Sequence, residues 1–252
     1  MRRSLLSLII GLGIFLCLSN NVFAQNQVRP QPYGQWLMYF GNNKFNDKWG
    51  LHSEAQFRNY LLPQTVQQTL LRVGINRYLN ESSYITAGYA FIPTTPSTDN
   101  VEGFTTMEHR IWQQGILKNN YRNVFIEHRY RLEQRFIENK DTGVEKFDNR
   151  IRYRVQALVP LYVISPKWRH LFINSYNEIF MNFGRTVSGE IFDRNRLYFA
   201  LGYQVSPKLN FQLGYLNQLI SLPSTNSLDI NHNLQIGISF NMDLVMPNSL
   251  FE

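Results

Sequence analysis

The sequence predicts an all-β protein, an antiparallel transmembrane β-barrel of about ten strands, with twelve as the other even count. Three observations carry this reading. Apolar and polar residues alternate with period two in segment after segment from Trp49 to the end, and period two is the spacing of side chains along a strand. In several segments the polar set is charged and rich in arginine, while the apolar set is aromatic or branched. The connections between segments alternate short and long, the pattern of a barrel with tight turns at one rim and long loops at the other. Composition agrees: aromatics are 14% of the chain, mean hydropathy is −0.29, and no long apolar run follows residue 24. A barrel wall needs apolar side chains only at alternate positions.

The chain opens MRRSLLSLIIGLGIFLCLSNNVFAQ. Arg2 and Arg3 precede an apolar run, Leu5–Leu18, too short for a spanning helix, and Val22-Phe23-Ala24 is a small-residue cleavage site. Residues 1–24 therefore read as a signal peptide and residues 25–252 as an outer-membrane barrel. Cys17, the one cysteine, falls in the leader, so the remaining chain has no disulfide and no thiolate metal site. Net charge is +7; without Arg2 and Arg3 it is +5. The basic residues are interleaved with acidic ones rather than massed, which excludes a nucleic-acid partner.

Ten segments then follow. "WGLHSEAQFRNY" sets Trp49, Leu51, Ala55 and Phe57 against His52, Glu54, Gln56 and Arg58. "LLRVGINRYL" sets Leu71, Val73, Ile75 and Leu79 against Arg72, Gly74 and Asn76, and "SYITAGYAFI" sets Ile85, Ala87, Tyr89 and Phe91 against Thr86, Gly88 and Ala90. "TTMEHRIWQQG", "NVFIEHRYRLEQR" and "DNRIRYRVQALV" are the charged ones, and "LFINSYNEIF", "RLYFALGYQV", "LNFQLGYLNQL" and "INHNLQIGISFNMDL" complete the set. "QWLMYFGNN", residues 35–43, also resembles a strand but is left over. It stands as a partial strand, a lead-in, or one of a pair that raises the count to twelve. Ten strands place both ends of the barrel chain at the short-turn rim.

Glu-His-Arg occurs twice, at 108–110 and 127–129. A hairpin turning at Lys118-Asn119 pairs Glu108 with Arg129 and Arg110 with Glu127. Turning at Asn119-Asn120 instead sets Glu108 against Arg131 and Arg110 against Arg129. The first register is favoured because opposite charges directly across a strand pair stabilise it and like charges do not. Either way the charges share one face. On the lipid face an arginine near mid-membrane costs about 2–4 kcal/mol, so that face is the interior. His109 and His128 then fall outside, an unexplained placement.

The candidate site is this interior: Glu108, Arg110, Glu127, Arg129, Arg131, Glu133, Arg150, Arg152 and Arg154, joined by Arg58, Arg72, Arg135, Arg196, Glu54, Asp148 and Glu178. Arginine's planar fork suits carboxylate or phosphate. The interior is thus either filled by its own ion pairs or an arginine-lined passage for a small anionic solute. Other chemistry is thin. None of His52, His109, His128, His170 and His232 has a serine two residues away, so no strand face carries a nucleophile beside its base. No metal cluster, Gly-rich phosphate loop or cofactor signature appears. A lipid-acting outer-membrane enzyme, and a soluble periplasmic barrel binding a ligand inside, remain as alternatives. The latter sits badly with a polar interior, since small-molecule pockets are mostly apolar.

"QIGISFNM" resembles the C-terminal pattern read by the barrel-assembly machinery, with Gly237, Phe240 and Met242 in place and "VMPNSLFE" trailing beyond. Over about residues 33–244 the chain resembles the family catalogued as domain of unknown function 2490, frequent in Bacteroidetes-type bacteria. "YGQWLMYFGNNKF", "WGLHSEAQFRNY", "EHR", "HRYRLEQR" and "RIRYRV" carry the likeness. The resemblance implies an outer-membrane β-barrel and supplies no activity and no cofactor.

Overall fold

The computed structural model describes residues 27–30, 33–60, 66–95, 105–184, 191–222 and 227–241. The expected signal peptide and the trailing "VMPNSLFE" lie outside them. Alternating residues become strands: β1 (Gln27–Pro30), β2 (Gly34–Lys44), β3 (Trp49–Tyr60), β4 (Val66–Asn80), β5 (Ser83–Thr94), β6 (Thr106–Tyr121), β7 (Val124–Asn139), β8 (Glu145–Pro160), β9 (Leu171–Phe183), β10 (Phe192–Ser206), β11 (Leu209–Leu222) and β12 (Ser227–Phe240). From β2 to β12 each strand pairs with the next, and β12 pairs with β2, so the sheet closes on itself as an eleven-stranded barrel.

The left-over segment is therefore a full wall strand, β2. Its alternation is faint because both faces are apolar: Trp36 and Met38 are buried inside while Leu37 points out. Strands that alternate in direction and number eleven must end as they begin, so β12 and β2 are parallel, Asn233 opposite Gly34 through Phe240 opposite Gly41. β1 runs along the other half of β12, Gln27 opposite Ser227. Consequently β2 starts at the long-connection rim and β12 ends at the short-turn rim, rather than both ends sharing one rim. A parallel ladder is slightly less stable per residue than an antiparallel one, and this seam is reinforced from inside. Trp36 and Met38 of β2 pack with Tyr198, Ala200 and Leu216 of β10 and β11, and the Asn42 backbone N–H donates to Asn241 Oδ1 at 2.8 Å.

One strand shows the sorting of faces. Along β4, Leu71, Val73 and Ile75 are each 48% exposed, whereas Arg72 is 5% and Asn76 0% exposed. The same alternation runs around the wall, giving an apolar exterior and a polar interior.

The hairpin register differs from both expectations. β6 and β7 turn at Arg122-Asn123, with Arg122 at φ 55° and Tyr121 opposite Val124. Glu108 then faces Ile137, Arg110 faces Arg135 and Trp112 faces Glu133. Across the next ladder Arg131 faces Arg152 and Arg129 faces Arg154. Like charges stand directly opposed, yet each arginine is long enough to reach an acceptor, Arg110 and Arg135 sharing Glu108. Reach replaces register, so pairwise charge matching does not select the turn.

The outward histidines are accounted for by tyrosines of adjoining strands. His109 Nδ1 and Tyr89 Oη are 2.5 Å apart, His128 Nδ1 and Tyr153 Oη 2.9 Å, and His232 Nδ1 and Tyr215 Oη 2.5 Å. His170 lies against the Tyr203 ring, centroids 5.7 Å apart. In the first three pairs the hydrogen bond satisfies a polar tip within an aromatic surface.

Inside the wall, Trp112 is fully buried and lies over the bare backbone of Gly74 and Gly88. A Cβ on Gly88 would sit 2.1 Å from the Val73 carbonyl oxygen and 2.9 Å from the Trp112 ring. Backbone cannot yield as a side-chain tip can, so Gly88→Ala overpacks the wall. We expect a loss of about 1–3 kcal/mol, read as a lower urea midpoint for the purified protein, with Gly115→Ala as control because a Cβ there meets nothing within 4 Å.

Candidate functional site: the buried arginine–carboxylate network

The three charged strands β6, β7 and β8 lie side by side and send alternate residues inward. At their centre is Glu133, fully buried. Its Oε2 accepts from Arg150 Nε at 3.0 Å and Nη2 at 2.7 Å. Its Oε1 accepts from Arg152 Nη1 at 2.7 Å and Arg110 Nη1 at 3.2 Å, with Arg72 Nη2 at 3.6 Å. One carboxylate thus holds guanidiniums from β4, β6 and β8. Such a fork-on-carboxylate geometry gives the strong form of charge-assisted bond.

A second node is Glu178 on β9, where Oε1 takes Arg129 Nη2 at 2.6 Å and Arg152 Nη2 at 2.8 Å. Glu108 serves Arg110 at 2.6 Å and Arg135 at 2.7 Å. Arg154 donates to Glu127 at 2.7 Å, nearer the short-turn rim. The structure therefore brings Glu108, Arg110, Arg129, Glu133, Arg150 and Arg152 into one network. It sets Glu127 with Arg154 in a smaller pair, and routes Arg131 to the amide oxygen of Gln114 at 2.6 and 3.0 Å. The expected pairs Glu108–Arg129 and Arg110–Glu127 do not form, because the shifted register moves Arg129 toward Glu178. Asp148 is held by Lys146 at 2.9 Å.

Sequence reasoning missed two further ions. Asp193 accepts from Arg150 at 3.0 Å and from Arg194 at 2.9 Å. A bulge between Phe192 and Arg194 brings both neighbours into the network, and no period-two pattern announces it. It also missed the aromatic platforms. Arg131 lies over Trp112 at 4.8 Å, Arg152 and Arg196 over Phe180 at 4.3 and 4.9 Å, and Arg58 and Arg196 over Trp36 at 4.2 and 5.0 Å. These contacts cost the arginines nothing in donors and add cation–π attraction. Position alone could have exposed two of them, since Trp112 and Phe180 stand two residues beyond Arg110 and Glu178 on the same face.

Beside this network is a cavity of about 60 Å³, room for about two waters or a small oxyanion. Eight arginines line it, among them Arg58, Arg194 and Arg196, and one carboxylate, Glu108. Arg58 is bound to the amides of Gln56 and Gln68 and Arg196 to Gln218 at 2.7 Å. An amide oxygen satisfies a guanidinium N–H without neutralising its charge, so the cavity is a cationic one. Among the described residues no cluster of His, Cys, Asp and Glu could hold a metal ion.

Removing the hub should be far worse than removing a rim pair. Glu133→Ala leaves buried guanidiniums uncompensated, and we expect about 3–5 kcal/mol lost. Lys140→Ala breaks a pair to Glu138 in which both side chains are well exposed and should change stability by less than about 1 kcal/mol. Urea unfolding of the purified protein, followed by tryptophan fluorescence, separates the two.

A solved structure, the NanC porin in a rhombohedral crystal form, aligns over 82% of this chain and 97% of its own at 12% identity and a TM-score of 0.48. No curated protein matches. The family model described as "Protein of unknown function (DUF2490)" matches residues 33–229, which span all but the first strand and the part of β12 beyond Asp229. With that match covering more than half of the chain, the protein belongs to this family of unknown function.

Proposed function

We propose that the protein is an outer-membrane β-barrel of structural type whose arginine-rich lumen is packed shut and takes up a small anionic solute at its cationic cavity. The observation that carries this is the partition of the wall. Hydrophobic side chains such as Val73, Ile75, Leu201 and Leu213 are about half exposed all round the exterior, while the intervening Arg72, Asn76 and Ala200 are buried. In water that exterior would be a continuous apolar surface far beyond the few hundred Å² a soluble monomer tolerates. In hydrocarbon it is the required one. This favours a membrane barrel, assembled by the barrel-assembly machinery, over a soluble ligand-binding barrel.

Closure of the lumen is supported by what fills it. Trp112, Phe180 and Tyr198 are all buried; Trp112 and Phe180 lie against Arg131 and Arg152, and Tyr198 packs in the Trp36 cluster. A narrow passage would need these groups to move apart together. Anion uptake is supported by the eight-arginine lining and by the uncancelled charge on Arg58 and Arg196. Phosphate, with oxygens matched to a planar fork, is the natural probe.

Planar-bilayer recording tests closure directly: the purified protein should give no sustained conductance in a salt gradient, and a steady current of either ion selectivity would overturn it. Phosphate should raise the unfolding temperature of the wild type, and the shift should vanish in Arg58→Gln/Arg196→Gln. An unchanged shift in that variant would remove the cavity as the site.

A further inference from the structure

Outside the lumen, the exterior face carries a groove of about 620 Å³, within the roughly 300–1,000 Å³ range of ligand sites. Its walls are Trp49, Ile75, Ile85, Tyr130, Leu132 and Ile151. Its floor is made by small residues, Ala87 and Gly115, and at Gly115 an added Cβ would meet nothing within 4 Å. The groove follows a row of directly opposed residues: Trp49 opposite Arg77, Arg77 opposite Ile85, Ile85 opposite Gly115 and Gly115 opposite Tyr130.

That row climbs the wall. Trp49 is the first residue of β3, at the short-turn rim, and Arg77 lies three residues from the matching end of β4. Gly115 and Tyr130 each lie six residues in from the turn ends of β6 and β7. Because strands in a barrel tilt, one end of the groove is at the rim and the other is in the middle of the apolar face.

The rim end carries the one cation of the groove's exterior lining. Arg77 stacks over Trp49 at 4.8 Å, and its buried Nη1 has no hydrogen-bond partner among the described residues. An outward guanidinium on a membrane face needs an anion. Deeper in, Gln113 is satisfied by its neighbour, exchanging amide hydrogen bonds with Gln134 at 3.3 Å each way. A cationic end at the interface and an apolar slot running toward mid-membrane match one molecule: an amphiphile with an anionic head and an acyl chain.

We propose that this groove seats a glycerophospholipid of the leaflet at the short-turn rim, its phosphate on Arg77 and one acyl chain along the Ala87–Gly115 floor. The proposal rests on the membrane reading above. Trp49 closes the head end by stacking on the guanidinium, and Tyr130 closes the tail end.

The test uses the intact protein in nanodiscs of defined phosphatidylglycerol and phosphatidylethanolamine, released in a native mass spectrometer. Wild type should retain one phospholipid. Arg77→Gln should retain about tenfold less, the scale of one charge-assisted hydrogen bond. Gly115→Leu, which fills the slot and leaves the cation, should also lose it, and Arg122→Gln, a turn cation outside the groove, should not. Equal retention by Arg77→Gln and wild type would overturn the head site, and equal retention by Gly115→Leu would overturn the slot. Failure of the underlying reading looks different: the protein would not enter the nanodiscs at all, whereas insertion with no retained lipid sinks this inference alone.

Discussion

A closed barrel sends every second side chain of every strand into a space with little water, and any charge placed there must be neutralised there. That constraint organises this protein. Glu133 gathers Arg72, Arg110, Arg150 and Arg152, and Glu178 gathers Arg129 and Arg152. Together they tie β4, β6, β7, β8 and β9 through their interior faces as well as through the ladder. An isolated buried guanidinium would be prohibitively costly, and even a paired one repays its desolvation only with full hydrogen bonding. Forked donors, shared carboxylates, amide acceptors and aromatic platforms all answer that demand. The network therefore specifies which side of the wall is inside more than it adds stability.

Much of this was legible in the sequence, because the sorting of faces is a one-dimensional signal. Arg72 between Leu71 and Val73, or Arg152 between Ile151 and Tyr153, states inside and outside without a neighbour. The fold class and the set of inward arginines follow from such triplets. Register is a different kind of information. Opposed charges at 108–110 and 127–129 suggested a hairpin with paired ions, but the chain extends both strands to Tyr121 and Val124 and turns at Arg122-Asn123. Arginine side chains several bonds long forgive the mismatch, so the charges do not report the turn. β2 was obscured for the opposite reason: Trp36 and Met38 fill an apolar part of the interior, which removes the contrast that alternation needs. Asp193 entered by a bulge, an irregularity with no periodic trace.

The odd strand count has physical consequences. It brings β2 and β12 together in parallel and leaves the shortest main ladder at the seam, where the Trp36 cluster and the stacking of Arg58 and Arg196 on Trp36 compensate. The same two arginines border the cationic cavity, so the place where the barrel is closed and the place where an anion would be held are adjacent. On the far wall, β3 to β8, the exterior groove lies behind the Glu133 hub, with Arg131 and Gln114 reaching its floor from within. The interior network and the apolar exterior groove thus share one stretch of wall.

The central claim is that apolar side chains touch hydrocarbon while the arginine rows turn inward, and depth-resolved quenching tests it most directly. A fluorophore on a single cysteine at Arg131, Leu132 or Ile151, in bilayers containing brominated acyl chains, should be strongly quenched at 132 and 151 and spared at 131. Equal quenching at all three positions, or a protein that stays monomeric in buffer and never enters the bilayer, would contradict the account.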